Sequence, residues 1–160
     1  MLTLFGCGPD LPQDLVSEYS KLPDYIDYNF HIKPILSDRC FACHGPDELA
    51  RKADLRLDIE QEAKAKLSNG HFALVDGNPG KSTLYDRIIS SENDYLMPPP
   101  ESKLRLSNRD KAMLIKWIEQ GAEYKPHWSF ISPVKATVPE NNGSGWQADN
   151  EIDYFIQEKL

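Results

Sequence analysis

The chain has 160 residues, 40% of them hydrophobic and 27% charged, ordinary proportions for one globular domain with tails. Its formal net charge of -7 argues against nucleic acid, which rewards a basic face, and weakly favours partners with a positive patch. No apolar run reaches the ~18 to 20 residues of a membrane-spanning helix, and three cysteines, an odd count, make no disulfide framework.

At the start, Leu4-Phe5-Gly6-Cys7 resembles a bacterial lipobox, in which a small residue precedes a cysteine that becomes lipidated. Residues 1 to 6 lack the basic and apolar regions of a signal peptide, so a free Cys7 is the competing reading. Residues 8 to 27, with Pro9, Pro12 and Pro23 among Asp10, Asp14, Glu18 and Asp24, read as a tether. Residues 1–27 are thus expected to form a lipoprotein-like N-terminus.

The first core helix is expected from Phe30 to Arg39, with Phe30, Ile35 and Leu36 as its apolar residues and Asn29 as N-cap. Pro34 is tolerated only in a first turn, so the helix should start near Ile32 and run into the next stretch. That stretch is Cys40-Phe41-Ala42-Cys43-His44, and Gly45-Pro46 ends it. Two cysteines two residues apart, followed at once by a histidine, form the attachment pattern of c-type haem. On a helical turn the two sulfurs stand at the spacing of the porphyrin vinyl groups, and His44 can offer the iron its proximal nitrogen.

Residues 47 to 58 are charged and read as loop, with Leu55 and Leu57 alternating with Arg56 and Asp58 in a short extended piece. Asp58, with Gln61 three residues on, is expected to cap a helix with the stripe Ile59, Ala63 and Leu67, stopped by Asn69-Gly70. Gly80-Lys81-Ser82 looks like the end of a phosphate-binding loop. Val75 stands where that pattern needs its first glycine, so Ser82 reads instead as the N-cap of a helix over Thr83 to Ser90, with Leu84, Ile88 and Tyr85 inward.

Tyr95-Leu96-Met97-Pro98-Pro99-Pro100 is stiff and extended. A methionine at the head of such a segment is presented rather than packed, and a thioether is the second axial ligand that favours reduced iron. Met97 is therefore the candidate distal ligand, with His71 in reserve. Met1 is terminal and Met113 lies on a helix face.

Ser107-Asn108-Arg109-Asp110 reads as a cap with an acid three residues on. The helix should run from Asn108 to Gln120 with the stripe Met113, Leu114, Trp117 and Ile118, and end at Gly121. It should pack across the first helix, with Trp117 near the haem edge. Residues 125–149, rich in proline and ending in Asn141-Asn142-Gly143-Ser144-Gly145, read as a linker, and residues 150–160 as the opening of a following helix with Ile152, Phe155 and Ile156 as its stripe. An unmatched apolar stripe there suggests that a further domain follows.

Zinc would need a fourth ligand from another Cys or His pair, and no cysteine follows Cys43. A thioredoxin-like pair would need a βαβ setting, whereas the surroundings read as short helices and loops. A bare Cys40–Cys43 disulfide is the remaining rival to haem.

Tyr28-Asn29-Phe30, Cys40 through Asp47, Lys52-Ala53-Asp54-Leu55-Arg56-Leu57-Asp58, Met97-Pro98-Pro99-Pro100, Trp117 through Ala122 and His127-Trp128, in this order, resemble the planctomycete-type cytochrome c domain. The resemblance spans residues 28 to about 130. It implies a mostly α, cytochrome c-like fold over 28–124 around one covalent haem c. It also implies thioethers at Cys40 and Cys43, proximal ligation by His44 and distal ligation by Met97. In that family the domain is usually the N-terminal module of a longer secreted protein. The expected function is electron transfer to other redox proteins or a following enzymatic domain, at the periplasm or cell surface, with membrane contact only through a lipid anchor at Cys7. No nucleophile–base pair or paired carboxylates stand out, so no catalysis of its own is assigned. Two other readings stay open: a five-coordinate haem acting as peroxidase or gas sensor, and a structural or interaction module.

Overall fold

The computed structural model describes residues 11–140 and 148–159. The expected lipobox, Leu4 to Cys7, and the stretch Asn141 to Trp146 lie outside the described residues. The fold is mostly helical, as expected of a small cytochrome-like domain, and the described residues form no strand, only a lone antiparallel bridge between Lys66 and Phe72. Two compact units divide the chain, Met1–Trp128 and Ser129–Leu160. No helix among the described residues is long and apolar enough to cross a membrane.

In the larger unit the helices are α1 (Gln13–Tyr19), α2 (Lys33–Arg39), α3 (Phe41–His44), α4 (Glu60–Ala63), α5 (Thr83–Ile89) and α6 (Asn108–Glu119). The organising element is α6. The Ser107 hydroxyl accepts from the Asp110 amide at 3.1 Å, while the Asp110 carboxylate accepts from the Ser107 amide at 2.9 Å, so two otherwise orphaned donors are satisfied reciprocally. At the other end Gly121 takes φ 105°, and the amides of Gly121 and Ala122 donate to the Ile118 and Trp117 carbonyls. That closure needs a left-handed residue, which glycine supplies without strain. Between the caps, Ala112 to Ile115, Trp117 and Ile118 are all buried.

Where composition predicts a tether, α1 forms and packs on α6. Leu15, Leu22 and Ile26 are buried in the common core, the Tyr19 hydroxyl donates to the Glu119 carboxylate, and the Gln120 side-chain amide donates to the Asp24 carbonyl. Burial of this leucine face outweighs the prolines and acids around it.

A single π turn, Tyr28–Ile32, leads into α2. Its cap is Asp27, whose carboxylate accepts from the Asn29 and Phe30 amides at 2.8 and 3.1 Å, so Asn29 is inside the turn rather than its cap. Phe30 points outward, 76% exposed, and Ile32 and Leu36 take the core positions. The wider turn rotates the apolar face by one residue relative to a regular helix. It is this turn, rather than α2 itself, that packs against α6.

Other expectations shift for local reasons. α4 is one turn, entered from Ile59 with no side-chain cap, and Asp58 instead pairs with Arg56. Beyond it the Leu67 amide donates to the His71 carbonyl in a reversing turn. Ser82 stands at the head of α5, but its buried hydroxyl leaves the helix uncapped; it accepts from the Val75 amide at 2.8 Å and donates to the Asn78 carbonyl at 2.9 Å. Leu84, Tyr85 and Ile88 face inward as expected.

The second unit contains α7 (Glu151–Lys159). The Asn150 side chain accepts from the Ile152 and Asp153 amides, the Asp153 carboxylate accepts from the Asp149 and Asn150 amides just before the helix, and Ile152 and Ile156 are 70% and 45% exposed.

Candidate haem-attachment site

α2 delivers the chain to Cys40, whose amide still donates to Leu36. The backbone then opens at Cys40 and closes again into α3, with the Cys43 and His44 amides both donating to the Cys40 carbonyl, at 3.0 and 2.8 Å. One turn therefore carries Cys40, Cys43 and His44. α3 ends at Gly45, where the backbone turns extended, and nothing larger fits there: a Cβ on Gly45 would lie 2.4 Å from the Phe41 carbonyl oxygen and 2.8 Å from the Phe41 Cβ.

Residues 46 to 58 wrap back over the motif as a strap. The Lys52 amide donates to the Cys43 carbonyl and the Leu57 amide to the His44 carbonyl, both at 2.8 Å. Arg51 donates to the Gly45 and Pro46 carbonyls. Ala53 and Asp54 hold left-handed backbone, φ 55° and 51°, to make the reversal. For residues with a side chain this costs roughly 1–2 kcal/mol each, offset here by the hydrogen bonds on either side.

The strap sets the chemistry of the imidazole. His44 Nδ1 lies 3.2 Å from the Lys52 carbonyl, a partner that can only accept. Nδ1 therefore carries the proton and Nε2 keeps its lone pair. Burial holds the His44 pKa below its usual value, and the nearby Arg87 guanidinium adds to this; the Lys52 carbonyl works in the opposite direction but does not win. A neutral imidazole with Nδ1 committed to a carbonyl is the ligating form of histidine at iron.

Both thiols are free and half-buried. Burial, with a smaller contribution from Cys43, pushes the Cys40 thiol up to about 12. A protonated thiol is a poor partner for disulfide exchange.

Met97 is half-buried on the segment after α5, and its amide donates to the Arg87 carbonyl at 2.9 Å. Arg87 therefore serves both predicted ligands: its carbonyl anchors Met97 and its guanidinium, stacked 4.4 Å over the Tyr95 ring, influences His44. His71 is exposed in the turn between Lys66 and Phe72. Trp117 is enclosed with Tyr28 and Tyr124, ring centroids 6.1 and 5.3 Å away. A separate cleft of about 590 Å³, walled by Tyr28, Phe41, Ile59 and Tyr124, contains none of Cys40, Cys43, His44 or Met97. No cluster of three or more His, Cys, Asp or Glu side chains suited to a bare metal ion occurs among the described residues. The donor set fits a covalently attached iron porphyrin instead, since two thiols and one neutral imidazole on a single turn are what that group requires.

Arg87 and Tyr124 escape sequence reading, because each acts through a backbone group or through tertiary placement. Lys52 and Leu57 are picked out by the strap that resembles the family, but their main-chain bonds to Cys43 and His44 are not.

An all-α scaffold carrying a Cys-x-x-Cys-His turn defines a small c-type cytochrome domain. Residues 40–101 match the family described as Planctomycete cytochrome C, and that stretch belongs to the planctomycete-type cytochrome c domains. Haem and iron binding, in the service of haem-based electron transfer, is what membership of that family supports. Neither the curated proteins nor the solved structures yielded a match.

Proposed function

We propose that this chain is an electron-transfer module with one haem c, joined through thioethers at Cys40 and Cys43, with His44 as proximal and Met97 as distal ligand. The observation that carries the reading is the His44 imidazole, held neutral with Nδ1 on the Lys52 carbonyl, on the turn that presents both thiols. When bound, the haem supplies one-electron exchange at iron. The chain's own residues do the rest. Lys52 fixes the imidazole tautomer, and the strap from 46 to 58 holds the motif's backbone through the Lys52 and Leu57 amides. The carbonyl of Arg87 holds the Met97 backbone in place. A thioether ligand favours the reduced state and raises the potential.

Attachment of haem through such a motif belongs outside the cytoplasm, which supports a periplasmic or cell-surface location. The Leu4 to Cys7 pattern supports a lipid anchor at Cys7. Partners are other redox proteins or a following enzymatic domain, reached through a surface whose charge of -7 favours basic docking patches.

Expression with a haem-ligation system tests the reading. The intact protein should gain the mass of one haem, and Cys40→Ser with Cys43→Ser should abolish the gain. The ferric protein should show the near-infrared charge-transfer band of thioether ligation and lose it in Met97→Ala. A wild type that lacks the band and binds carbon monoxide at once on reduction would transfer the reading to a five-coordinate site.

A further inference from the structure

Tyr124 lies beyond the family-matched residues 40–101, yet it reaches the attachment site. Its hydroxyl donates to the Leu57 carbonyl at 3.0 Å, and the Leu57 amide donates to the His44 carbonyl at 2.8 Å. The ring is fixed independently of that bond, with its centroid 4.6 Å from Tyr28 and 5.3 Å from Trp117. Trp117 is in turn pinned by its Nε1 donating to the Glu123 carbonyl at 3.0 Å. So a rigid group at the end of α6 grips the far end of the strap, while the near end is tied to Cys43 and to the imidazole through Lys52.

We infer that Tyr124 is a positioning residue for the proximal histidine: its hydroxyl clamps Leu57, and through the Leu57 amide fixes the backbone of His44. This rests on His44 being the proximal ligand. The hydrogen bonds run as one chain, from Tyr124 to Leu57 to His44, then by Nδ1 to Lys52 and on to Cys43. Without the Tyr124 bond the far end of the strap is held to the motif only by the Leu57 amide, and that looser anchor lets the imidazole plane rotate about its Lys52 contact. Burial keeps Tyr124 protonated and therefore a donor, and the neighbouring Tyr28, Glu60 and Asp58 act in the same direction.

Tyr124→Phe in the haem-loaded full chain removes the hydroxyl and keeps the ring contacts. The Leu57 amide should exchange with solvent about tenfold faster, as expected on losing one ordinary hydrogen bond. The paramagnetically shifted proton resonances of the His44 ring should move, and the reduction potential should shift with them. Tyr19→Phe, which removes another partly buried tyrosine bond away from the motif, should leave the His44 resonances in place. Unchanged Leu57 exchange and unchanged His44 resonances in Tyr124→Phe would overturn the inference. Should that variant fail to fold, the wild type decides: its Leu57 amide must be protected as strongly as the core amides of α6, and fast exchange there overturns the clamp. Failure of the haem reading looks different, because the wild type itself would then carry no haem mass.

Discussion

Ile115 and Ile118 on α6 are fully enclosed and Trp117 is 1% exposed, whereas Cys40, Cys43, His44 and Met97 are all only half-buried. Around α6, side chains do the holding. Around the cysteine motif the backbone does it, through Lys52 to Cys43, Leu57 to His44 and Met97 to Arg87. The difference teaches where each kind of substitution should act. Side-chain changes in the α6 region should cost stability. Side-chain changes at the motif should spare the fold and alter what the site holds, and only backbone interference there should damage both.

The largest effect is expected from Trp117→Ala. It removes an enclosed indole, its bond to the Glu123 carbonyl and its contacts with Tyr28 and Tyr124. A loss of about 3–5 kcal/mol is expected, measured as a fall in the denaturant midpoint. For a domain whose total stability is of order 5–15 kcal/mol that approaches unfolding. A loss no greater than that of a surface substitution would break the distinction between the two regions.

Gly45→Ala tests the backbone side. The added Cβ collides with the Phe41 backbone, so α3 itself must move. We expect a loss of about 1–3 kcal/mol, typical of overpacking, together with a lower fraction of chains carrying covalent haem in intact-mass spectra. Stability loss with full haem attachment would show that the turn tolerates a shift the contacts do not suggest.

Asp27→Asn separates a cap from a core contact. Partial burial pushes the Asp27 carboxyl up, but the Lys125 hydrogen bond and the Phe30 and Asn29 amides together outweigh it and leave the group below its ordinary value. A depressed pKa in the folded state means a contribution that is present above the unfolded value, about 3.9, and lost as pH falls through the folded one. The wild type should therefore lose about 1 kcal/mol between neutral and strongly acidic pH through this group, and the Asn variant should lack that part of the slope. Parallel curves for the two proteins in pH-dependent thermal melts would refute it.

These regions also differed in how well the sequence announced them. α6 was legible because its signals are local: Ser107 with Asp110 at one end, Gly121 at the other, and an apolar stripe between. The cysteine motif was legible for the same reason, since the chemistry is spelled within five residues. α1 is not announced although Leu11, Leu15, Tyr19 and Leu22 lie at helical spacing, because Pro12, Pro23 and the acids around the stripe are loop signals of equal strength. The expected helix from Ile59 to Leu67 shrank to Glu60–Ala63 because the chain reverses beyond it, with the Leu67 amide on the His71 carbonyl and the Gly70 amide on the Leu67 carbonyl. The partners of His44 were hidden for plain reasons: Lys52 and Leu57 reach it through main-chain groups, which every residue has, and Tyr124 reaches only Leu57, through a hydroxyl brought there by the fold.

The smallest change in stability, and the sharpest test of the comparison, belongs to Met97→Leu. The swap conserves volume at a half-buried position, and volume-conserving hydrophobic exchanges usually cost under about 1.5 kcal/mol. The backbone anchor is untouched, because the Met97 amide donates to the Arg87 carbonyl whatever the side chain. The thermal midpoint should hardly move, and haem should still attach, since the proposed thioethers are at Cys40 and Cys43 and not at Met97. What should change is everything that depends on the thioether: the near-infrared band should vanish, the reduced protein should bind carbon monoxide, and the potential should fall as the ligand that favours ferrous iron is lost. A variant that melts far below the wild type would make Met97 a packing residue like those of α6. A variant that keeps the band would place the sixth ligand elsewhere.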